Sequence, residues 1–349
     1  MVKPLVAAVV LTLLACAPPT DGATCLRHDN CPDTQACTDY CLCATGERGV
    51  EQCSGFKQTS VITLEASAAS AIVQVSSTAN VASVWVSANR RGKPEARQFK
   101  LAQGRWDSLG GFELADGATS SPMGLSPSGT TIAIRTQDGV SQWTVGEGLG
   151  SVDLWFSSGV PGGAKAVAHA GNVVVASFSS LGVRQKSVQT AVSLADGTPL
   201  DADSAEELQI SNDTNTVAAR FGINVRLYFN SGPVRSWSGV LALDLSADGT
   251  SLAMVRDGGV DVDVSGQLES VALPGARVVS LNGNGRVLVA VGATAPAVFT
   301  LNRATWTRVG ALPISGSDVA SSVAVSDDGN TLFVGMPGQK RVLVFGRIQ

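Results

Sequence analysis

A short apolar phrase recurs in this chain at a distance of 200 residues. Phe99-x-Leu101-x4-Trp106 returns as Phe299-x-Leu301-x4-Trp306. Between the two copies, a polar turn followed by a short apolar strand comes round several times. Self-similarity with a fixed period is the mark of a repeat architecture, in which each unit buries its apolar faces against its neighbours. The chain is therefore predicted to fold as a series of similar units.

The polar turns give the period of the repeat. The residues that mark them are Gly129, Gly171, Thr214, Gly249, Gly285 and Gly329, with steps of 42, 43, 35, 36 and 44 residues. An additional unit before them begins with Ala71–Val75 and Ala82–Val86. A unit of about 40 residues has the size of one four-stranded propeller blade. Residues 56–349 are thus predicted to be all-β, a seven-bladed β-propeller of four-stranded antiparallel blades.

The last repeat supplies only three strands. They are predicted at Ser321–Ser326, Thr331–Gly335 and Arg341–Phe345. A strand-like segment, residues 56–66, is left over before the first repeat. We expect residues 56–66 to pair with the last blade and close the ring, because closure leaves only short exposed strand edges.

Composition narrows the kind of partner. Hydrophobic residues make up 44% of the 349 residues and charged residues 15%, which favours a folded core over disorder. The net charge is −4, and no block of lysine and arginine occurs. Nucleic acid is therefore not an expected partner.

The N-terminus predicts export and a membrane anchor. Lys3 precedes an apolar run, Leu5 to Ala15, which has the length of a signal peptide. The run ends at Cys16, and Ala17-Pro18-Pro19 follows. This resembles a bacterial lipobox, which implies a signal peptide over residues 1–15, lipidation of Cys16 and a tether over residues 16–24. The alternative is an ordinary secretory signal cleaved near Ala15 or Ala17.

The same resemblance indicates a location. Bacterial sorting rules favour the outer membrane when the residue after the lipidated cysteine is not Asp, and here it is Ala17. The expected location is the bacterial cell envelope, with the protein held to the membrane by the lipid on Cys16.

Residues 25–53 are predicted to form a small disulfide-rich module. Six cysteines in an exported chain imply three disulfides with fifteen conceivable pairings; they are Cys25, Cys31, Cys37, Cys41, Cys43 and Cys53. The end of the segment resembles an EGF-like module, and Cys31-Pro32 resembles a whey-acidic-protein core. Zinc binding with His28 is the alternative to disulfides, and a rigid spacer is preferred over a recognition module.

The repeats resemble two propeller families. Residues 322–345 are similar to an FG-GAP repeat of integrin-α-like propellers, with Gly335-Met336-Pro337 at the Gly-Ala-Pro position and Val319-Ala320 where the family has Phe-Gly. Ser126-Pro127-Ser128-Gly129 and Ser246-Ala247-Asp248-Gly249 resemble the turns of Tol-type and lactonase-like propellers. These resemblances imply the architecture and no particular activity.

Few residues suggest a ligand or a reaction. The densest acidic cluster is Asp201, Asp203, Glu206 and Glu207. It is a candidate for weak calcium binding, although a solvated loop is preferred and no cofactor is expected. His169 ends a predicted inner strand and is a candidate for the channel, with a structural role preferred. Trp155-Phe156 is a candidate aromatic platform, with burial between sheets preferred.

Three functions are compatible with these features. The first is a lipid-anchored binding or scaffold protein that engages a protein or glycan through propeller loops, without catalysis. The second is a lactonase-like or glycosidase-like hydrolase with its site in the channel. The third is an envelope-assembly lipoprotein.

Overall fold

The computed structural model describes the greater part of the repeat region. The described residues are 35–37, 43–45, 55–64, 71–86, 93–113, 123–135, 139–146, 152–156, 164–170, 173–178, 181–185, 199–230, 232–293, 295–314 and 318–348. The predicted signal peptide, Cys16 and its tether lie outside these ranges, as do the cysteines other than Cys37 and Cys43.

The described residues contain strands and no helix, and no helix long and apolar enough to cross a membrane occurs among them. Two short strands, β1 (Gln35–Cys37) and β2 (Cys43–Thr45), pair antiparallel with Cys37 opposite Cys43. All the other strands belong to four-stranded antiparallel sheets, of which the described ranges hold seven.

Sheets 1 to 4 follow one another along the chain, after β3 (Phe56–Thr63). Sheet 1 contains β4 (Ala71–Val75), β5 (Val81–Val86), β6 (Glu95–Ala102) and β7 (Arg105–Glu113). Sheet 2 contains β8 (Met123–Leu125), β9 (Thr131–Arg135), β10 (Gly139–Thr144) and β11 (Val152–Phe156). Sheet 3 contains β12 (Ala166–Ala170), β13 (Val173–Ser177), β14 (Leu181–Gln185) and β15 (Pro199–Asp201). Sheet 4 contains β16 (Glu207–Ile210), β17 (Thr216–Phe221), β18 (Asn224–Phe229) and β19 (Gly232–Ser238).

Sheets 5 to 7 complete the order. Sheet 5 contains β20 (Val240–Leu245), β21 (Ser251–Arg256), β22 (Gly259–Val264) and β23 (Gln267–Ala272). Sheet 6 contains β24 (Val278–Leu281), β25 (Val287–Val291), β26 (Pro296–Asn302) and β27 (Thr305–Ala311). Sheet 7 contains β28 (Ser322–Val325), β29 (Thr331–Met336) and β30 (Arg341–Arg347), and its outer strand is β3.

This arrangement of four-stranded antiparallel blades confirms the prediction of an all-β propeller. The recurring phrase found in the sequence occupies the third and fourth strands of two sheets. Leu101 lies opposite Trp106 in sheet 1, and Leu301 lies opposite Trp306 in sheet 6. The spacing recurs because both segments form the same tight hairpin.

The core lies between neighbouring sheets, so the middle strands are apolar on both faces. Every residue of β13 and β25 is buried, which gives continuous apolar runs instead of alternation. The outer strand β19 is exposed over most of its length and contains Pro233, which lacks a backbone N–H donor. The outer strands of sheets 5 and 6 are likewise largely exposed or half-buried, so in these sheets the middle strands are apolar and the outer strands are more polar.

The turn between the first and second strands is held by a repeated set of hydrogen bonds. In sheet 5, the Ser246 hydroxyl donates to Asp248 Oδ1 at 2.7 Å, and the Ser251 N–H donates to Ser246 Oγ at 2.9 Å. Gly249 completes this turn at a φ of 70°. The same pattern, with a positive φ at the marker residue, recurs in sheets 4 and 7 at Thr214 and Gly329.

We expect Ser246→Ala to lower the free energy of unfolding by about 1–3 kcal/mol, because the buried Ser251 N–H then loses its acceptor. Thermal unfolding followed by circular dichroism measures the change. Ser236→Ala, at an exposed position of β19, is the matched control and is expected to change stability by less than about 0.5 kcal/mol. Equal melting temperatures for the two variants would contradict the role given to the turn.

Sheet 7 joins two distant parts of the chain. β3 pairs antiparallel with β30, with Phe56 opposite Arg347 and Thr63 opposite Arg341. Ile62 and Phe333 belong to one apolar cluster that also includes residues of sheet 1. The ring of Trp106 in sheet 1 meets that of Phe333 edge-on, with the centroids 5.6 Å apart. Sheet 7 and sheet 1 are thus packed together.

Candidate functional site: the central channel

The first strands of the seven sheets line a central channel with a cavity of about 410 Å³. Its wall combines polar and apolar residues. The polar and charged residues that line it are Gln74, Ser77, His169, Glu207, Gln209, Asn212, Asp244, Arg277, Ser280, Ser321, Ser322 and Asp327. The channel is therefore neither a purely apolar core nor a ring of small residues.

The channel has two faces that differ in their loops. We call the face that carries the turns between first and second strands the turn face, and the opposite one the loop face. The third strands also end at the turn face, since the Arg347 N–H donates to the Asn330 carbonyl. β3 therefore begins at the turn face, beside the end of β30.

Backbone hydrogen bonds tie neighbouring turns together at the turn face. The N–H groups of Asn212, Asp248, Gly283, Asp327 and Ser77 each donate to the next turn, at 2.7 to 3.2 Å. These five bonds run from sheet 4 through sheets 5, 6, 7 and 1 to sheet 2. They fix the spacing of the sheets around this mouth without using side chains.

His169 bridges sheets 2 and 3 and does not stand free in the channel. It is 5% exposed. Its Nδ1 lies 3.1 Å from the Val173 carbonyl oxygen, which can only accept, so Nδ1 carries the proton. Nε2 then accepts from the Thr131 hydroxyl at 2.9 Å and the Gln142 amide at 3.0 Å. The imidazole of His169 therefore has a structural role, since it holds sheet 3 against sheet 2.

Polar side chains of three inner strands bond to the backbone of the next inner strand. The Leu125 N–H donates to Gln74 Oε1 at 3.0 Å, and Gln74 Nε2 donates to the Met123 carbonyl at 2.9 Å. The Leu281 N–H donates to Asp244 Oδ2 at 2.7 Å. Glu207 likewise accepts from a backbone N–H of sheet 5. These contacts satisfy edge groups of strands that have no strand partner on the channel side.

Glu207 and Asp244 are neighbouring acids in the channel wall. Burial raises the pKa of Glu207, although Arg220 Nε, 2.8 Å from Glu207 Oε2, works against the rise. Burial raises the pKa of Asp244 to about 7, against the hydrogen bonds that it accepts, and the nearby charge of Glu207 adds to the rise. The channel wall thus contains two neighbouring carboxyls whose pKa values are raised by burial.

The four acids of the cluster found in the sequence form ion pairs with two different arginines. Arg226 Nη1 lies 2.5 Å from Asp201 Oδ2 and 3.0 Å from Asp203 Oδ2. Glu206 and Glu207 both pair with Arg220. Within the described ranges no group of three or more His, Cys, Asp or Glu side chains is placed to hold a metal ion. The ion pairs give these four acids a structural role, and calcium binding stays an untested prediction.

Asp201 also links sheet 3 to sheet 4. The Tyr228 hydroxyl donates to its Oδ2. Burial works to raise the pKa of Asp201, but the bonds from Tyr228 and Arg226 hold it below the ordinary value. Burial, followed by the bond to Asp201, raises the pKa of Tyr228.

The candidate aromatic platform lies away from the channel. Trp155 and Phe156 belong to β11, the outer strand of sheet 2, opposite Val140 and Gly139 of β10. Their side chains lie outside the described parts, as do the predicted disulfides. The structure therefore does not bring Trp155 or Phe156 together with His169.

At Gly124 the first strands of sheets 2 and 3 lie close together. A Cβ atom on this residue would lie 2.7 Å from the backbone nitrogen of His169 and 3.0 Å from the Ala168 carbonyl carbon. Backbone atoms cannot yield as a flexible side chain can, so only glycine fits without moving sheet 3.

We expect Gly124→Ala to destabilise the protein by about 1–3 kcal/mol, because sheets 2 and 3 must separate slightly. Gly232→Ala is the control, since the nearest atom to its Cβ lies 3.9 Å away. Urea unfolding of the two variants measures the difference. A midpoint for Gly124→Ala as high as that of the control would show that the two inner strands are not held this close.

Comparisons with known proteins show the fold alone. No protein-family model matches the chain, and no curated protein matches it in sequence. A chain in the crystal structure of a mitotic checkpoint complex is similar in structure, with a TM-score of 0.61 and 11% sequence identity. The match covers 83% of this chain and 91% of the other. At this identity the likeness supports a propeller and carries no activity.

Proposed function

We propose that the chain is a lipid-anchored, extracytoplasmic binding protein whose seven sheets close into a seven-bladed ring. Its task is to present a rigid surface to a protein partner, and catalysis is not part of it. A propeller supplies such a surface because its loops vary while its sheets stay fixed.

One observation carries the proposal. The charged groups at the channel are engaged in bonds within and between sheets, as with Glu207 and Arg220, whereas large apolar side chains stand exposed at the two faces, with Leu241 at the channel mouth. Ile223 and Leu241 are 57% and 54% exposed at the loop face, and Phe229 and Val234 are 49% and 53% exposed at the turn face. Phe229 and Val234 line one cavity, and a contiguous exposed apolar patch of this kind is typical of a surface that a partner covers.

Site-specific photo-crosslinking tests the binding function. A photoreactive phenylalanine analogue placed at Ile223, Leu241, Phe229 or Val234 in living cells is expected to give a discrete adduct from at least one face. Arg105, exposed beside the hairpin of sheet 1, is the control position. Adducts that are absent everywhere, or equally strong at the control, would contradict the proposal.

Lipidation is tested separately. Cys16 is expected to incorporate an alkyne-labelled fatty acid, and Cys16→Ser is expected to release the protein into the soluble envelope fraction. An unlabelled wild type that fractionates like Cys16→Ser would leave the ordinary secretory signal as the better interpretation.

A channel hydrolase is the second candidate, and one observation favours it. Glu207 and Asp244 are close enough in the channel for one charge to raise the other's pKa, and Asp244 titrates near 7. Glycoside hydrolysis uses a pair of carboxyls, of which the general acid has a raised pKa. Turnover of lactones or nitrophenyl glycosides that disappears in Asp244→Asn would support this candidate over the binding protein.

A further inference from the structure

A second cavity lies at the rim of the molecule, between sheets 4 and 5 on the turn face. We call it the rim cleft. Its volume is about 350 Å³. Its floor is formed by Leu227, Leu245 and Leu252, which are buried, and its apolar walls by Phe229 and Val234.

Phe229 departs from the pattern of the other sheets. It lies opposite the first residue of the second strand, and the residues at the same register position elsewhere are Lys100, Thr144, Gln185, Val264, Thr300 and Gly346. Five of these six are polar or glycine. An aromatic ring that is 49% exposed at this position is therefore not required by the repeat.

Val234 occupies a bulge that recurs in three other sheets. The register shift in β19 leaves Val234 without a cross-strand partner, and the same shift does so for Leu109 in sheet 1, Val309 in sheet 6 and Thr59 in sheet 7. Val309 packs against the cluster that contains Phe56, next to the backbone of Gly55. Val234 is 53% exposed. The segment Gly55–Phe56 therefore packs against Val309 at the bulge of sheet 6, whereas Val234, at the same position of sheet 4, is exposed.

The charged residues that line the rim cleft indicate whether it favours a positively or a negatively charged ligand. Arg235 Nη1 lies 2.7 Å from Asp263 Oδ2, so these two lining charges neutralise each other. Asp213 and Asp248 remain at the edge, on exposed turn positions. Hydrogen bonds from Ser211 and Asn215 outweigh burial and lower the pKa of Asp213, so it stays charged. The net field favours a cation.

From these contacts we propose that the rim cleft binds an extended segment of a partner protein in which an apolar or aromatic side chain neighbours a lysine or arginine. The apolar side chain enters between Phe229 and Val234, and the cation meets Asp213 and Asp248. This assignment rests on the proposed binding function and names the site and the chemistry of the partner.

Peptide selection supplies a probe of defined composition. A random dodecapeptide phage library is panned on the purified full-length protein, and the enriched peptides are synthesised with a fluorescent label. We expect enrichment of an aromatic or aliphatic residue next to Lys or Arg. Enrichment of acidic peptides, or no enrichment over an uncoated surface, would overturn the assignment.

Variants then locate the site by fluorescence anisotropy. Phe229→Thr introduces the residue found at the equivalent positions 144 and 300, so the sheet should tolerate it, and we expect affinity to fall at least about tenfold. Leu241→Thr, equally exposed on the loop face, should leave affinity unchanged. Raising the salt concentration should weaken binding, because the rim acids contribute.

The outcomes separate the site from the function. Peptides whose binding is lost in Leu241→Thr and kept in Phe229→Thr would disprove the rim cleft and leave the binding function standing. Peptides that bind both variants with the affinity of the wild type would also disprove the rim cleft as the binding site.

Discussion

A chain that begins at Glu65 is expected to lose the stable propeller. Removing β3 takes away the strand that pairs with β30 at seven register positions, from Phe56 to Thr63. It also removes Phe56, Ile62 and Leu64, whose exposed fractions are 3%, 1% and 2%, from two apolar clusters. Losing one buried side chain of this size costs about 2–5 kcal/mol. Three such losses approach the 5–15 kcal/mol that stabilises a typical domain.

Calorimetry of two truncated proteins measures this effect. The chain beginning at Gly55 keeps β3 and is the control, expected to melt cooperatively. The chain beginning at Glu65 is expected to show no cooperative transition, or one lowered by tens of degrees. Melting temperatures within a few degrees of each other would show that sheet 7 does not need β3 and that the ring is not closed through it.

Asp244→Asn is expected to stabilise the protein at neutral and alkaline pH and to flatten its pH dependence. Burial raises the pKa of Asp244 to about 7 from 3.8, so the native state holds a proton that the unfolded chain releases. The sign follows from linkage. The stabilisation from this group is complete below about pH 4 and is lost as pH rises to 7. Three pKa units correspond to about 4 kcal/mol. Asn is neutral and keeps an acceptor for the Leu281 N–H.

Melting temperatures of wild type and variants between pH 4 and 8 check this sign. Asp257→Asn, at an exposed turn position of sheet 5, is the control and should follow the wild type throughout. We expect the stability difference between Asp244→Asn and wild type to grow as pH rises from 4 to 7 and to level off above it. A difference that shrinks over that range, or stays constant, would show that Asp244 is ionised throughout in the folded protein.

The repeat and its turns could be predicted from the sequence because local chemistry determines them. Four of the six turn markers are glycines with a φ between 64° and 72°, and Thr214 adopts the same region at 63°. Ala79 plays this part in sheet 1 at 55°, where no glycine signals the turn. The sequence therefore indicates the first unit by its apolar strands and not by its turn.

The channel residues could not be predicted in the same way. Asp244 lies between Leu243 and Leu245, and nothing in that local pattern shows that its carboxyl reaches the next sheet. Gln74 likewise acts through residues 49 and 51 positions away. The sequence shows the acidic cluster by the density of its carboxylates. Its arginine partners lie 13 to 25 residues further along the chain, so the ion pairs cannot be predicted from the local sequence either.

The place where β3 begins determines how the molecule responds to a mechanical pull. β3 starts at the turn face and runs toward the loop face, hydrogen-bonded to β30 along its length. Tension applied through the segment that precedes Gly55, directed away from the turn face, acts along the strand axis. The hydrogen bonds between the two strands are then loaded in shear, all at once, and cannot open one after another. A propeller anchored through this segment would therefore resist mechanical unfolding from its N-terminal side.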